Sequence, residues 1–123
     1  MAVSVTNQSA PLGNRIVQDT SADSSEASNT TGAAGTLYYL EVDNTANAST
    51  AVYLKLYDAT GSVTIGTTAP TLIFRADAAQ KDTCVFPTGL TFANGFTHAC
   101  VTEPGTAGTT NPGSAVIVRY VTS

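Results

Sequence analysis

Charge is scarce in this chain of 123 residues. Charged residues make up 11% of it, whereas about 25% is usual for a soluble domain. The formal net charge is −4, and the cations are dispersed along the sequence as Arg15, Lys55, Arg75, Lys81 and Arg119. A phosphate-binding surface needs clustered cations that displace counterions, so we expect no nucleic-acid partner.

Long apolar segments are missing as well. No run approaches the roughly 18 residues that a membrane-spanning helix requires. The opening sequence, MAVSVTNQSAPLGNR, has no basic region followed by an apolar stretch, as a secretory signal would have. We therefore expect no membrane partner and synthesis in a cytoplasm.

Reactive side chains are few. The chain has a single histidine, His98, and no Gly-x-Ser-x-Gly sequence. A nucleophile needs a base within hydrogen-bond reach. If Asn94 and Gly95 form a two-residue turn, His98 lies opposite Thr91, which would orient it poorly. We therefore expect no catalytic residue and no enzymatic activity.

Metal-site patterns are also lacking. The spacing of Cys84, His98 and Cys100 matches no known zinc site. An acidic cluster of Asp19, Asp23 and Glu26 lacks the pattern of a calcium loop. We expect no metal and no cofactor. The two cysteines are predicted to be buried free thiols, since a cytoplasm is reducing, although a disulfide across two sheets stays open.

What the chain does contain is a series of short β-branched and aromatic runs separated by Gly, Pro, Asn and Asp, which predicts many short strands. The clear runs are residues 37–43, 51–57, 71–76, 82–86, 96–102 and 115–121, and the weaker ones are 2–6, 15–18 and 62–65. Asn94-Gly95 is typical of a tight hairpin turn. The pattern predicts an all-β fold, an antiparallel β-sandwich over residues 36–123.

Alternation assigns the faces of these strands. In residues 51–57, Val52, Leu54 and Leu56 fall on one side and are predicted to face the core. The other side carries Tyr53 and Tyr57 around a lysine. A strand that is apolar on both faces lies either under loops or against another subunit, and the sequence leaves both alternatives open.

The first third of the chain is much more polar. Residues 18–35 read QDTSADSSEASNTTGAAG and have almost nothing apolar to bury. Ordering a backbone residue costs roughly 1–2 kcal/mol, so contacts from outside the segment must hold it. We therefore interpret residues 1–35 as an extended N-terminal arm that contacts neighbouring subunits or a partner, with Arg15 and Val17 among its contact residues.

Three blocks of the sequence carry a family resemblance. They are LYYLEVDNTANASTAVYLKLYDA, GTTAPTLIFRADA and VFPTGLTFANGFTHACVTEPGTAGTTNPGSAVIVRYV. In these blocks the chain resembles small structural proteins of tailed bacteriophages, of the cyanophage type. The resemblance implies a jelly-roll-like sandwich that decorates or cements the capsid, bound to the major capsid protein, commonly as a homotrimer. It carries no catalytic residues.

The sequence thus predicts a virion protein, assembled in the host bacterial cytoplasm, that stabilises the capsid shell. Its predicted contact residues are Tyr38, Tyr39, Tyr53, Tyr57, Arg15 and Val17. One alternative is a structural protein of the tail or of a fibre base. Another is a lectin-like carbohydrate-binding module that stacks sugars on its tyrosines, although the absence of Trp argues against it.

Overall fold

The computed structural model describes residues 2–7, 13–61 and 63–123. These residues form strands and turns but no helix, so none of them belongs to a membrane-spanning helix. The strands are β1 (Val3–Asn7), β2 (Arg15–Ala22), β3 (Gly35–Asp43), β4 (Val52–Asp58), β5 (Leu72–Ala76), β6 (Lys81–Phe92), β7 (Phe96–Val101) and β8 (Val116–Thr122). The all-β prediction is confirmed.

The strands form two antiparallel sheets. The five-stranded sheet has the order β1-β2-β8-β3-β6, and the three-stranded sheet has the order β5-β4-β7. Each clear run of the sequence lies in a strand or extends one residue beyond it, as do the weaker runs at residues 2–6 and 15–18. The described part of the run at residues 62–65 is not a strand, because the Thr67 and Thr68 amides turn back to the Thr64 carbonyl.

Both sheets contribute side chains to one core, which makes the arrangement sandwich-like. Leu54 and Leu56 of β4 are fully buried, as alternation predicted, and they belong to the same cluster as Leu40 of β3 and Val118 of β8. The buried face of each sheet therefore matches the apolar alternation of its strands.

The predicted hairpin at Asn94-Gly95 is wrong. β6 belongs to the five-stranded sheet and β7 to the three-stranded sheet, where it pairs with β4. The rings of Phe92 and Phe96 stack with centroids 4.5 Å apart, and both are buried, so the chain turns a corner between the sheets. Close approach favours glycine at position 95, because a Cβ there would lie 2.9 Å from Asn29 Oδ1 and 3.0 Å from the Ala59 carbonyl oxygen.

The polar first third of the chain takes part in this arrangement. β2, predicted to lie in the arm, pairs with β1 on one side and with β8 on the other, and its Val17 and Ala22 belong to the core. After β2 the chain runs along β7, where the Ala27 and His98 backbones exchange hydrogen bonds of 2.8 and 3.1 Å. Contacts within the chain therefore hold much of a segment for which the sequence suggested external partners.

Candidate functional site

A chain of buried polar groups joins the two sheets. His98 Nε2 of β7 lies 2.8 Å from Asp19 Oδ2 of β2, and His98 Nδ1 lies 3.0 Å from the Tyr120 hydroxyl of β8. The Tyr120 hydroxyl shares a further hydrogen bond of 2.8 Å with Thr30 Oγ1. Asp19, His98 and Tyr120 are each fully buried.

Burial and hydrogen bonding act in opposite directions on these groups. Burial raises the pKa of Asp19, but hydrogen bonds from His98 and from the Ser21 amide outweigh it and hold the pKa below its usual value. Burial also raises the pKa of Tyr120. The sequence placed His98 opposite Thr91, whereas the backbone of His98 lies opposite Leu56.

The arrangement has the residue types of an acid–base relay, but its geometry is that of a structural link. None of its three ring or carboxylate groups reaches the surface, whereas a general acid or base must approach the proton that it transfers. The sequence could not reveal this link, because Asp19 and His98 are 79 positions apart and share no local pattern.

The carboxylates are occupied by the chain itself. Three of them accept a hydrogen bond from the backbone amide two residues later in the sequence, which forms an Asx turn. These are Asp19, Asp23 and Asp43. Four accept more distant amides, and these are Glu26, Asp58, Asp82 and Glu103. The remaining two form ion pairs, Asp77 with Arg75 and Glu41 with Lys81. The nine acidic residues of the sequence thus serve as turn caps and ion-pair partners, and no group of three or more potential metal ligands occurs among the described residues.

Lys55 is a buried cation on the outer side of β4. Its ammonium group donates to the carbonyls of Thr106, at 3.1 Å, and Gly108, at 2.8 Å. Burial lowers the pKa of Lys55, and the charge of Glu103 acts in the opposite direction. The loop between β7 and β8 therefore covers this face of the three-stranded sheet.

Tyr57 is also buried on that outer face, and burial raises the pKa of its hydroxyl. The sequence left open whether the second face of β4 lies under loops or against another subunit. At Lys55 and Tyr57 that face is buried within the chain itself, as the first alternative requires. Tyr57 is therefore not available as a contact residue in this structure.

The outer face of the five-stranded sheet is more open. Its registers place Ile16 opposite Val121, Val121 opposite Tyr39, and Tyr39 opposite Val85. Residues opposite each other in antiparallel strands share a face, so these four side chains form one row across β2, β8, β3 and β6. We call them the apolar row. Val85 is 55% exposed and Ile16 and Tyr39 are partly exposed, whereas Val121 between them is buried, at 6%.

A polar row lies beside the apolar row. Arg119 donates to Gln18 Oε1 at 2.6 Å, and Glu41 accepts from Lys81 at 3.2 Å. Alternation along β8 places Arg119 and Val121 on one side of the strand, but it does not single out the apolar row. Alternation gives the face of each strand, whereas the row also requires the strand order and register.

The predicted contact residues do not lie on one surface. Tyr38 and Tyr39 are partly exposed on β3 of the five-stranded sheet, and Tyr53 is partly exposed on β4 of the other sheet. Val17 is fully buried in the core, so it cannot contact a partner in this structure. The side chain of Arg15 is partly buried and donates to the Thr31 carbonyl at 3.1 Å. A sugar-stacking platform that joins the tyrosines is therefore not formed.

The two cysteines are free thiols, as predicted. Cys100 is buried, which raises its pKa to about 12. Cys84 is partly exposed rather than buried, because it lies on β6 at the edge of its sheet.

A shallow cleft of about 200 Å³ lies between the end of β2 and the loop before β8. Its lining residues are Ser21, Ala22, Asp23, Asn111, Pro112, Gly113, Ser114 and Ala115. Asp23 is its one charged residue, and the carboxylate of Asp23 accepts the Ser25 amide at 2.8 Å. The cleft therefore offers backbone, hydroxyl and amide groups and a single carboxylate, one oxygen of which already accepts a backbone amide.

Comparisons with known proteins give no match. No family model matches the chain, and no curated protein or solved structure shows significant similarity to it. The function is therefore inferred from the fold and the surfaces of the chain.

Proposed function

We propose that this chain is a structural protein of a bacteriophage virion, most simply a decoration or cement protein that binds the shell of major capsid protein. The open outer face of the five-stranded sheet carries this proposal. On that face Ile16, Tyr39 and Val85 of the apolar row are at least partly exposed, while on the outer face of the other sheet Lys55 and Tyr57 are buried within the chain, Lys55 beneath the loop between β7 and β8. An exposed apolar patch with a polar margin is typical of a protein–protein contact.

The strand order supports a jelly roll, the finer fold that the resemblance implies. If residues 23–30, which bridge to β7 through Ala27, are counted as a strand of the three-stranded sheet, the order becomes this segment, β7, β4 and β5. The other sheet then contains β2, β8, β3 and β6 in order. Eight strands divided equally between two packed layers, with β1 as an additional edge strand, support a jelly roll, an architecture of viral capsid and lectin domains.

The use of charge also supports a structural role. The acidic residues cap turns or pair with cations, and Lys55 and Arg15 donate to backbone carbonyls. A protein with this pattern adds contact area and rigid turns rather than reactive groups. Fold alone does not establish function, so the proposal depends on the open face.

Binding to purified shells that lack this protein tests the proposal. We expect Val85→Asp to weaken binding at least about tenfold, since it places a charge beside the apolar row. Ile73→Asp is the matched control, because Ile73 is also exposed, at 37%, but lies on β5 of the other sheet. Failure of the unmodified chain to bind shells, or equal loss in both variants, would contradict the proposal.

Copy number in purified particles distinguishes the two virion locations. A copy number comparable with that of the major capsid protein supports the shell. A few copies per particle would instead place the chain on the tail or at a fibre base.

A further inference from the structure

We propose that two copies of this chain pair through their β1 strands, antiparallel and about a two-fold axis beside Val5, so that their five-stranded sheets become one continuous sheet. The occupant of this edge is thus a second copy of the chain. The pairing is a property of the isolated protein and goes beyond the proposed function, and either can fail without the other.

The first observation is how differently the sheet edges are protected. The outer edge of β7 is covered, since residues 23–30 exchange backbone hydrogen bonds with Phe96, His98 and Cys100. The edge strand β6 carries an exposed lysine, Lys81, and an exposed proline, Pro87. It also bulges, because Tyr38 alone faces residues 86–89. Lysine, proline and bulges are the devices that keep an edge from pairing.

β1 has none of these devices. Its sequence is VSVTN, without charge or proline, and its pairing with β2 is regular from Val3 to Asn7. No described strand lies beyond it in the sheet. On β5, the remaining edge, Arg75 provides a charge. Among the described edges, β1 is therefore the one that neither cover nor charge protects.

The second observation is which backbone groups of β1 are available. The Thr20 amide donates to the Ala2 carbonyl at 3.1 Å. Hydrogen-bonded and non-hydrogen-bonded pairs alternate along an antiparallel ladder, so Ser4 and Thr6 use their backbone groups toward β2. The N–H and C=O groups of Val3, Val5 and Asn7 therefore point away from the sheet. A hydrogen bond at the far side of the sheet agrees with this assignment. When the alternation is followed from β1 through β2, β8 and β3 to β6, it requires the Asn44 amide to donate to the Gln80 carbonyl, as it does at 2.8 Å.

This spacing is self-complementary. With a two-fold axis beside Val5, Val5 faces Val5 of the second copy and Val3 faces Asn7 of the second copy. Every outward N–H and C=O of β1 then finds a partner. Val3 and Val5, now 37% and 41% exposed, would lie on one face of the joined sheet, and Ser4 would face Thr6 of the other copy on the opposite face.

The charges around β1 are compatible with such pairing. β2 places Asp19 beside Val3 and Arg15 beside Asn7. In the joined sheet, Asp19 of one copy and Arg15 of the other therefore lie in the same row, with opposite signs. No like charges face each other across the two-fold axis, where they would oppose pairing.

The size of the contact sets its strength. Two strands of five residues bury much less than the roughly 1,600 Å² of a standard interface, so the pairing is weak in dilute solution. A dissociation constant between about 10 μM and 1 mM corresponds to such a contact. It becomes effective where copies are held close together, because the local concentration is then high.

Disulfide trapping tests the register. In a Cys84→Ser background, Val5→Cys places two sulfurs across the axis at a Cα separation of about 5.5 Å, which suits a disulfide. Ser4→Cys is the matched control. Position 4 faces Thr6 of the second copy, so the two cysteines at position 4 are diagonal to each other and too far apart for a disulfide. We expect Val5→Cys to form covalent dimers at least tenfold faster than Ser4→Cys, after correction for the reactivity of each thiol toward a small disulfide. Equal rates, or no dimer from Val5→Cys, would overturn the proposal.

Charge swapping tests the two-fold axis without a covalent bond. Sedimentation of the full chain in about 0.15 M salt, where charges are screened beyond roughly 8 Å, should show a reversible dimer. Val5→Lys and Val5→Glu should each dimerise about tenfold more weakly, whereas an equimolar mixture should recover association. A wild-type chain that stays monomeric up to about 1 mM, a trimer, or a mixture no better than its components would contradict β1 pairing.

Discussion

Asp19 and His98 form a contact between the two sheets, with 2.8 Å between Asp19 Oδ2 and His98 Nε2 and with both side chains fully buried. Asp19 lies on β2 and His98 on β7, so the contact joins the five-stranded sheet to the three-stranded one. The same carboxylate accepts the Ser21 amide at 3.0 Å through its other oxygen. One side chain thus orders both a sheet-to-sheet contact and a turn in the polar first third of the chain.

Removal of Asp19 should destabilise the protein strongly. Asp19→Ala leaves His98 Nε2 and the Ser21 amide without their partner, and a buried group without a partner is costly. We expect the free energy of unfolding to fall by about 3 kcal/mol, measured by urea denaturation at pH 7.

Asp23→Ala is the matched control for that variant. Asp23 forms the same Asx turn, with the Ser25 amide at 2.8 Å, but has no histidine partner and is partly exposed. We expect its cost to be about 1 kcal/mol. Equal costs for Asp19→Ala and Asp23→Ala would show that the His98 contact adds nothing to stability.

Stability should decrease in acid. The pKa values of Asp19, Asp43, Asp58 and Glu103 lie below their usual values. The main cause is hydrogen bonding for Asp43 and Glu103. For Asp19 and Asp58, burial raises the pKa, but hydrogen bonds to the carboxylate outweigh it. A lowered folded-state pKa contributes stability above the unfolded-state pKa, near 4, and that contribution is lost as the pH falls through the folded-state pKa.

Urea denaturation between pH 7 and pH 2 measures this dependence. We expect a plateau above about pH 5 and a continuous fall below about pH 4. Asp58→Asn should flatten the acid limb, because it removes one of the carboxylates. A free energy of unfolding that stays constant or rises from pH 5 to pH 3 would contradict the assigned pKa directions.

The sequence predicts the strands well, because alternation is a local property. Leu54 and Leu56 face the core as their spacing requires, and the final strand buries Val118 in the same way. The burial of Lys55 and Tyr57 could not be predicted, since it depends on distant loops that fold over β4.

The errors of the sequence prediction have related physical causes. Asn94-Gly95 has the composition of a hairpin turn, but the stacked Phe92 and Phe96 direct the chain between the sheets instead. Residues 18–35 are too polar to form a core, yet their backbone pairs with β7 and β8, and composition does not reveal such pairing. The apolar row and the Asp19–His98 contact both combine residues from distant strands, so neither leaves a local signal.

The hydrogen bonds of the buried Lys55 ammonium should hold the loop between β7 and β8 in place. Lys55→Met keeps the apolar stem but removes the hydrogen bonds to the Thr106 and Gly108 carbonyls. We expect faster amide hydrogen exchange at residues 102–113 and a loss of about 2 kcal/mol of stability. Lys81→Met is the control, since Lys81 is exposed and its ion pair with Glu41 contributes at most about 1 kcal/mol. Equal exchange in the two variants would show that the loop is held by other contacts.

The corner between the sheets should depend on Asp58. Its carboxylate accepts the amides of Ala93, Asn94 and Gly95, at 3.0, 2.7 and 3.3 Å. Asp58→Ala leaves these amides to solvent, so we expect a loss of about 2 kcal/mol in the free energy of unfolding. Asp82→Ala removes a carboxylate that accepts a single amide, that of Asp77 at 3.0 Å, and should cost less than half as much. If both substitutions lower the free energy of unfolding equally, the corner is held by the Phe92–Phe96 stack rather than by the hydrogen bonds to Asp58. Phe96→Leu should then be the more damaging change.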